Sequence, residues 1–302
     1  MNNEDSYSYL LDRGDLYSSQ GDYQNALSDY FCIVKTFPFN SLAWTRIAET
    51  QAKLGLKEDA IKSYSKALEI EPHNGAIHYN YGNYLLDLGK FESAINHYKK
   101  VIEYDKSLVL AHFNMGIAYS KINNADKALD CYECFIKINP DDADAYYHKG
   151  TVLSEIEKHS EAIECYNICI SINPKHSAAW VNLAVSLDKT GKPEQSLKAY
   201  ERAIEISPGN PTLYDNCGNT FLSLNNLDRA LDYFNKANSM NPTDAYPYYN
   251  RACTYARMND LEKAINDLKK AIELEPEFKN YAKTDSDFDN IKDFKDFKDL
   301  IY

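Results

Sequence analysis

Ala60-Ile-Lys-Ser-Tyr64-Ser-Lys-Ala67-Leu68-Glu-Ile-Glu-Pro72 is the stretch on which the fold turns. Its pattern returns at Ala94–Ile102, Ala128–Pro140, Ala162–Pro174, Ala230–Pro242 and Ala264–Pro276, always in steps of 34 residues with nothing inserted or deleted. A fixed period of this length is the signature of stacked repeats, in which each copy is one supersecondary unit that cannot bury its apolar face alone. Outward from this stretch, the register runs through eight frames: 7–40, 41–74, 75–108, 109–142, 143–176, 177–210, 211–244 and 245–278. Positions below are counted from 1 to 34 within a frame.

Each frame reads as two helices. In the first, positions 4, 7, 8 and 11 share one face, as in Trp44, Ile47, Ala48 and Gln51 or Trp180, Leu183, Ala184 and Leu187. Position 15 then holds Gly or Asn in seven frames, residues that tolerate the left-handed conformation ending a helix. Glu157 is the exception and predicts a strained or differently built turn. In the second helix, position 20 is small, from Ala26 to Ala264 with Ser196 among them. Position 24 is Tyr or Phe, except Leu268. Position 8 is Gly or Ala throughout. Two helices approach closely only where neither carries bulk, and the aromatic fills the gap beside them. Position 32 is Pro in every frame but one, where Lys106 stands. Proline there stops the second helix and aims the chain into the next copy.

A 34-residue unit with an aromatic at position 4, small residues at 8 and 20, an aromatic at 24 and Pro at 32 resembles the tetratricopeptide repeat. The resemblance spans residues 7–278. It implies an all-α solenoid, a right-handed superhelix with first helices on the concave side and second helices outside. Residues 1–6 are expected to be frayed. Residues 279–302 leave the register, but Phe288, Ile291, Phe294, Phe297, Leu300 and Ile301 recur at helical spacing. They predict a capping helix, or two short ones, over the last repeat; a partner-binding tail is the alternative.

Composition narrows the function. Net charge is −12, which disfavours nucleic-acid backbones and anionic membrane surfaces. The polar, acidic start lacks the features of a secretory signal, and the seven scattered cysteines suit a reducing cytoplasm. Catalytic signatures are missing. Gly82 to Gly89-Lys90 has the wrong spacing for a phosphate loop and is followed by Phe91. The chain therefore reads as non-enzymatic, with no cofactor and no metal. One weak alternative is a four-sulfur metal site from Cys131, Cys134, Cys165 and Cys169 in the fourth and fifth frames. The simpler reading of Cys169 is a small packing residue, because position 27 is commonly Ala. His78 and His112 occupy position 4 as packing residues, and His73, His97, His159 and His176 have no partner at motif spacing.

The first-helix positions not used for packing form a stripe. Position 6 is Asn80, Asn114, Asn182, Asn216 and Asn250, interrupted by His148, with Asp12 and Arg46 earlier. Amides offer both donors and an acceptor to an extended peptide whatever its side chains. This column resembles the asparagine ladder of O-linked N-acetylglucosamine transferases. It is also open to reading as a plain feature of the repeat. Position 5 adds Tyr79, Phe113, Tyr147 and Tyr249, which with Leu110 and Ile117 make an apolar zone. Asp12, Asp15 and Glu49 make the amino-terminal end acidic, which suits a partner with basic residues. The carboxylate clamp of co-chaperone relatives is not matched. Asn83 and Asn114 stand where clamp asparagines would, but Asp144 and His148 replace the cationic pair. The expectation is a scaffold that binds a peptide segment of a partner protein on its concave surface. Self-assembly of the repeats into homo-oligomers is the alternative.

Overall fold

The computed structural model describes residues 3–302, with side chains from residue 6. Among them are helices and connecting turns, and no strand. Contacts divide the chain into two blocks, one ending at Asp141 and one from Asp142 to Tyr302. In the first block, the four frames become α1 (Asn3–Ser19) and α2 (Tyr23–Thr36), α3 (Ser41–Lys53) and α4 (Lys57–Ile70), α5 (Gly75–Asp87) and α6 (Phe91–Tyr104), and α7 (Leu110–Lys121) and α8 (Ala125–Ile138). In the second they become α9 (Ala143–Glu155) and α10 (His159–Ile172), α11 (Ser177–Lys189) and α12 (Pro193–Ile206), α13 (Pro211–Ser223) and α14 (Leu227–Met240), and α15 (Tyr246–Arg257) and α16 (Leu261–Leu274). Helix α1 thus begins inside the stretch expected to be frayed; residues 1 and 2 lie outside the described residues.

The turns follow from position 15. All eight residues there have positive φ, from 56° at Asn123 to 80° at Gly21. Glu157 adopts the same conformation, at 61°, so its turn is not differently built. Its backbone bonds, Glu157 N–H to Ser154 O and Lys158 N–H to Leu153 O, reproduce those of Asn123 and Asn124. A β-carbon at that φ carries strain that glycine avoids. At the entry to the first helices, position 34 supplies the cap: Asn40, Asn74 and Asp142 each accept from the backbone N–H three residues on. Where Lys106 replaces proline, Asp105 accepts from both the backbone and the hydroxyl of Ser107, and α7 starts one position late.

In the five pairs with glycine at position 8, the position-24 ring lies against it. Tyr30, Tyr98, Tyr132, Tyr166 and Phe234 are fully buried, as are the alanines at position 20. A β-carbon added at Gly82, Gly116 or Gly150 would stand 2.7–2.8 Å from the facing tyrosine. The predicted close approach is therefore a ring laid on a glycine. Position 4 has a second role: Trp44, Trp180 and Tyr214 donate to the carbonyl oxygen of the preceding frame's proline, at 2.9, 2.9 and 3.2 Å. His78 makes the same contact through Nε2, 3.0 Å from Pro72 O.

That contact fixes the His78 tautomer and leaves Nδ1 to accept from His97 Nδ1–H, 2.9 Å away. This pairing was not visible from motif spacing. Burial, then the neighbouring ring, holds His97 down to about 4, and burial lowers His78 as well. Both rings ionise more readily in the unfolded chain, near pH 6.5. The pair's stabilisation is thus complete above pH 6.5 and is lost as pH falls from there towards 4. His97→Gln keeps a donor for His78 but does not titrate. Its loss of stability between pH 7.5 and 5 should be smaller than that of the wild type by roughly 1–2 kcal/mol, allowing for partial exposure. Equal losses in denaturant titrations at the two pH values would contradict the assignment.

The carboxyl-terminal segment forms two short helices, α17 (Phe278–Thr284) and α18 (Lys295–Ile301), joined through a 3-10 turn at Ser286–Phe288. Phe288, Ile291, Phe297 and Ile301 are buried in one cluster with Ala252, Cys253, Leu268 and Ala271 of the last pair. Phe294, expected on the same apolar face, is half exposed, because it caps α18 from outside.

Candidate functional site on the first helices

Three clefts open on the first-helix side, and they are built from the same positions. In the first block, Glu49, Ala52, Lys53 and Tyr64 face Asn80, Asn83, Tyr84 and Asp87 across about 360 Å³. In the second, Thr151, Ser154, Glu155 and Tyr166 face Asn182 and Val185 across about 150 Å³. Asp188, Lys189 and Tyr200 face Asn216, Asn219, Thr220 and Ser223 across about 400 Å³. Each cleft thus combines positions 12, 13 and 24 of one repeat with positions 6 and 9 of the next.

The position-24 tyrosines are part of this surface, although the sequence places them in the core. Their rings are buried but Tyr64, Tyr166 and Tyr200 line the clefts. The hydroxyls of Tyr30 and Tyr98 reach position-9 acceptors, Asp15 at 2.6 Å and Asn83 at 2.8 Å. The legible signal was the choice of Tyr over Phe in six frames, since a buried hydroxyl requires a partner.

The asparagine column divides. Asn80, Asn182 and Asn216 line clefts, Asn80 donating to Glu49 at 2.8 Å. Asn114 donates to Asn83 at 2.8 Å and to Tyr79 at 3.3 Å, and Asn250 to both oxygens of Asp215 at 3.0 and 3.3 Å. These amides stitch one first helix to the preceding one, which leaves fewer of their groups for a guest. His148 is half-buried, its ring 5.3 Å from that of Tyr147.

The aromatic zone is less open than expected. Phe113 packs on Tyr132 and Phe135, with ring centroids 5.9 and 5.2 Å away. Tyr147 lies against Tyr166 and His176. Tyr79 and Ile117 are half-buried, and Leu110 is exposed. Tyr249 must be corrected. It is buried, its ring stacks on Phe278 at 4.6 Å, and its hydroxyl donates to Asp285 at 2.7 Å. The carboxyl-terminal segment covers it, so it offers no anchor to a guest.

Charge is also arranged differently. Arg46 lies 3.1 Å from Asp15 and 3.0 Å from Glu49, so two of the amino-terminal acids share one internal cation. Asp188 and Asp215 are held by hydroxyl and amide donors. Asp215 is buried and accepts only amide donors; burial pushes it up to about 6. Burial raises Asp188 too.

Two of the four cysteines considered for a metal site are held as thiols. Cys131 and Cys169 are buried, their thiols pushed up to about 12 and about 11, while Cys134 is exposed. Elsewhere, Cys253, Asp285 and Asp287 bring ligand-type atoms within 4.8 Å of one another. The Cys253 thiol donates to Asp285 at 3.8 Å, burial raises its pKa well above the usual value, and Arg257 lies 3.7 Å from Asp287. The group is thus knit by its own donors.

A further cleft, of about 510 Å³, lies on the second-helix side. Trp180, Leu183 and Leu187 line it together with Lys198, Glu201 and Arg202. Among the described residues no helix is long and apolar enough to cross a membrane.

A tetratricopeptide repeat family model matches residues 41–74, 109–142, 143–176, 177–210 and 245–278. Further models of this repeat match 63–96, 82–123 and 211–244. Six of the eight frames are matched in the register read from the sequence, and 7–40 lies outside the matches. No curated protein matches the chain. Among solved structures, MamA is similar at 28% identity over 53% of this chain and 93% of that one, with a TM-score of 0.51. YrrB, described as a TPR protein with an unusual peptide-binding site, is 26% identical over 62% of this chain and 97% of that one, with a TM-score of 0.54. A tetratricopeptide repeat protein from Parabacteroides merdae shares the fold at 21% identity, covering 83% of this chain and 99% of that one, with a TM-score of 0.60. Helix pairs, 34-residue register and family matches agree, and the chain belongs to the tetratricopeptide repeat family.

Proposed function

We propose that the protein is a non-enzymatic scaffold that binds an extended peptide segment of a partner protein along the face of its first helices, in a reducing compartment such as the cytoplasm. The recurrence of one cleft at equivalent positions carries this reading. An extended peptide presents side chains at regular intervals, and the two successive clefts of the second block, lined by amides and tyrosines, can take it without demanding one sequence. The peptide-binding site of YrrB supports the reading by similarity. Asn182 and Asn216 would orient the peptide backbone, and Tyr147 would supply apolar contact from its exposed edge. Self-assembly by end-to-end stacking is less favoured, because the carboxyl-terminal segment covers the apolar face of the last pair.

Peptides selected by display on the wild-type protein test this. Asn182→Ala with Asn216→Ala should weaken their binding about tenfold, while Arg202→Ala on the opposite side should leave it unchanged. Selected peptides that respond only to Arg202→Ala would place the site elsewhere.

A further inference from the structure

The two clefts of the second block are copies of one another, displaced by one repeat. In the first, Ser154, Glu155 and Tyr166 face Asn182 and Val185; in the second, Asp188, Lys189 and Tyr200 face Asn216 and Asn219. Both open on the same side, because the same positions of successive first helices build them. Those helices are neighbours in contact. His176 at the head of α11 lies 3.3 Å from Asp144 of α9, and Thr220 of α13 donates to Asp188 of α11 at 2.9 Å. Helices packed side by side have axes about 8–10 Å apart, so the clefts recur at about that distance.

That distance selects the backbone of a guest. Three residues of extended chain span about 9–10 Å, whether as a β-strand or as a polyproline II helix. In a strand, however, side chains alternate between faces, so residues on one face recur at about 7 or 13 Å and the third residue on points away. A polyproline II helix has about three residues per turn and brings every third side chain to the same face at about 9 Å. An α-helix satisfies its own backbone and would leave nothing for the amides at position 6 to pair with. The polyproline II backbone makes no internal hydrogen bonds, so Asn182 and Asn216 can each serve one peptide group per turn. The clefts also differ in size. The one between α9 and α11 holds about 150 Å³ among Thr151, Ser154 and Val185, whereas the one between α11 and α13 holds about 400 Å³ and opens past the exposed Asn219 and Ser223.

We infer that the bound peptide is a polyproline II segment, which sets a small side chain in the cleft between α9 and α11 and a long one, three residues away, in the cleft between α11 and α13. The inference rests on the peptide-binding reading above. It narrows the partner from any extended chain to one with a three-residue repeat and proline near the anchors.

Random dodecamer peptides selected on the full chain test it. They should share two constrained positions, one small and one long, three residues apart. Glu155→Trp, at an exposed residue of the smaller cleft, should abolish the preference at the small position only, and Ser223→Trp, at an exposed residue of the larger cleft, that at the long position only. A selected peptide resynthesised with proline at both residues between the anchors should bind about tenfold more tightly than one with glycine there, because proline holds φ near the polyproline II value in the free peptide. Anchors two, four or seven residues apart, both tryptophans acting on one position, or a glycine peptide that binds as tightly as the proline one would overturn this inference and leave peptide binding standing. Recovery of no peptide by the wild type would overturn both. Thermal melts of each variant confirm folding before the comparison.

Discussion

Gly218→Val should destabilise the protein by about 3 kcal/mol, more than a substitution elsewhere on the same helix would. A β-carbon at Gly218 meets Phe234 at 2.4, 2.6 and 2.8 Å, and that ring is fully buried with no room to retreat. The gain in helix propensity over glycine, at most about 1 kcal/mol, does not offset this. The molecule contains its own control. In the last repeat the equivalent pair is Ala252 and Leu268, both fully buried. Gly218→Ala combined with Phe234→Leu rebuilds that pair and should recover most of the loss seen in Gly218→Ala alone. Additive effects in the double-mutant cycle would show that ring and glycine are not coupled.

Phe288→Ala should cost about 3–5 kcal/mol, the usual range for a phenylalanine removed from a filled core. Phe288 is 1% exposed and touches Tyr249 and Phe297, at ring-centroid distances of 5.7 and 5.5 Å. Because the segment that carries it is short, the loss should appear first as faster amide exchange over 278–301, before the rest of the chain melts. Removing residues 285–302 altogether uncovers Tyr249 and Cys253 as well. The truncated chain should then self-associate, seen as a rise in mass by light scattering with concentration. A truncated chain with the mass of the full one and unaltered melting would show that the segment is not a cover.

The repeat, its register and its turns were legible because each depends on local chemistry that recurs along the frames: a positive φ at position 15 in all eight, and, in seven each, a ring at 24 and a proline at 32. A single aberrant residue such as Glu157 could not change a conformation set by its neighbours' hydrogen bonds. The stripe at positions 5 and 6 was legible as a set of positions but not as a set of free groups. Whether Asn114 faces a guest or Asn83 depends on the facing helix, which a one-frame reading does not contain. Tyr249 was misjudged for the same reason: the residues that cover it lie outside the register and carry no repeat signal. The pairing of Arg46 with Asp15, which reduces the charge of the acidic end, likewise joins neighbouring frames.

The side-chain amide resonances of Asn182, Asn216 and Asn167 decide most directly where a peptide sits. Asn182 and Asn216 line the first-helix clefts, and Asn167 lines the cleft beside Trp180 on the other side. On titration with a display-selected peptide, the Asn182 and Asn216 signals should shift while Asn167 stays in place. Shifts confined to Asn167 and the Trp180 indole would contradict the account.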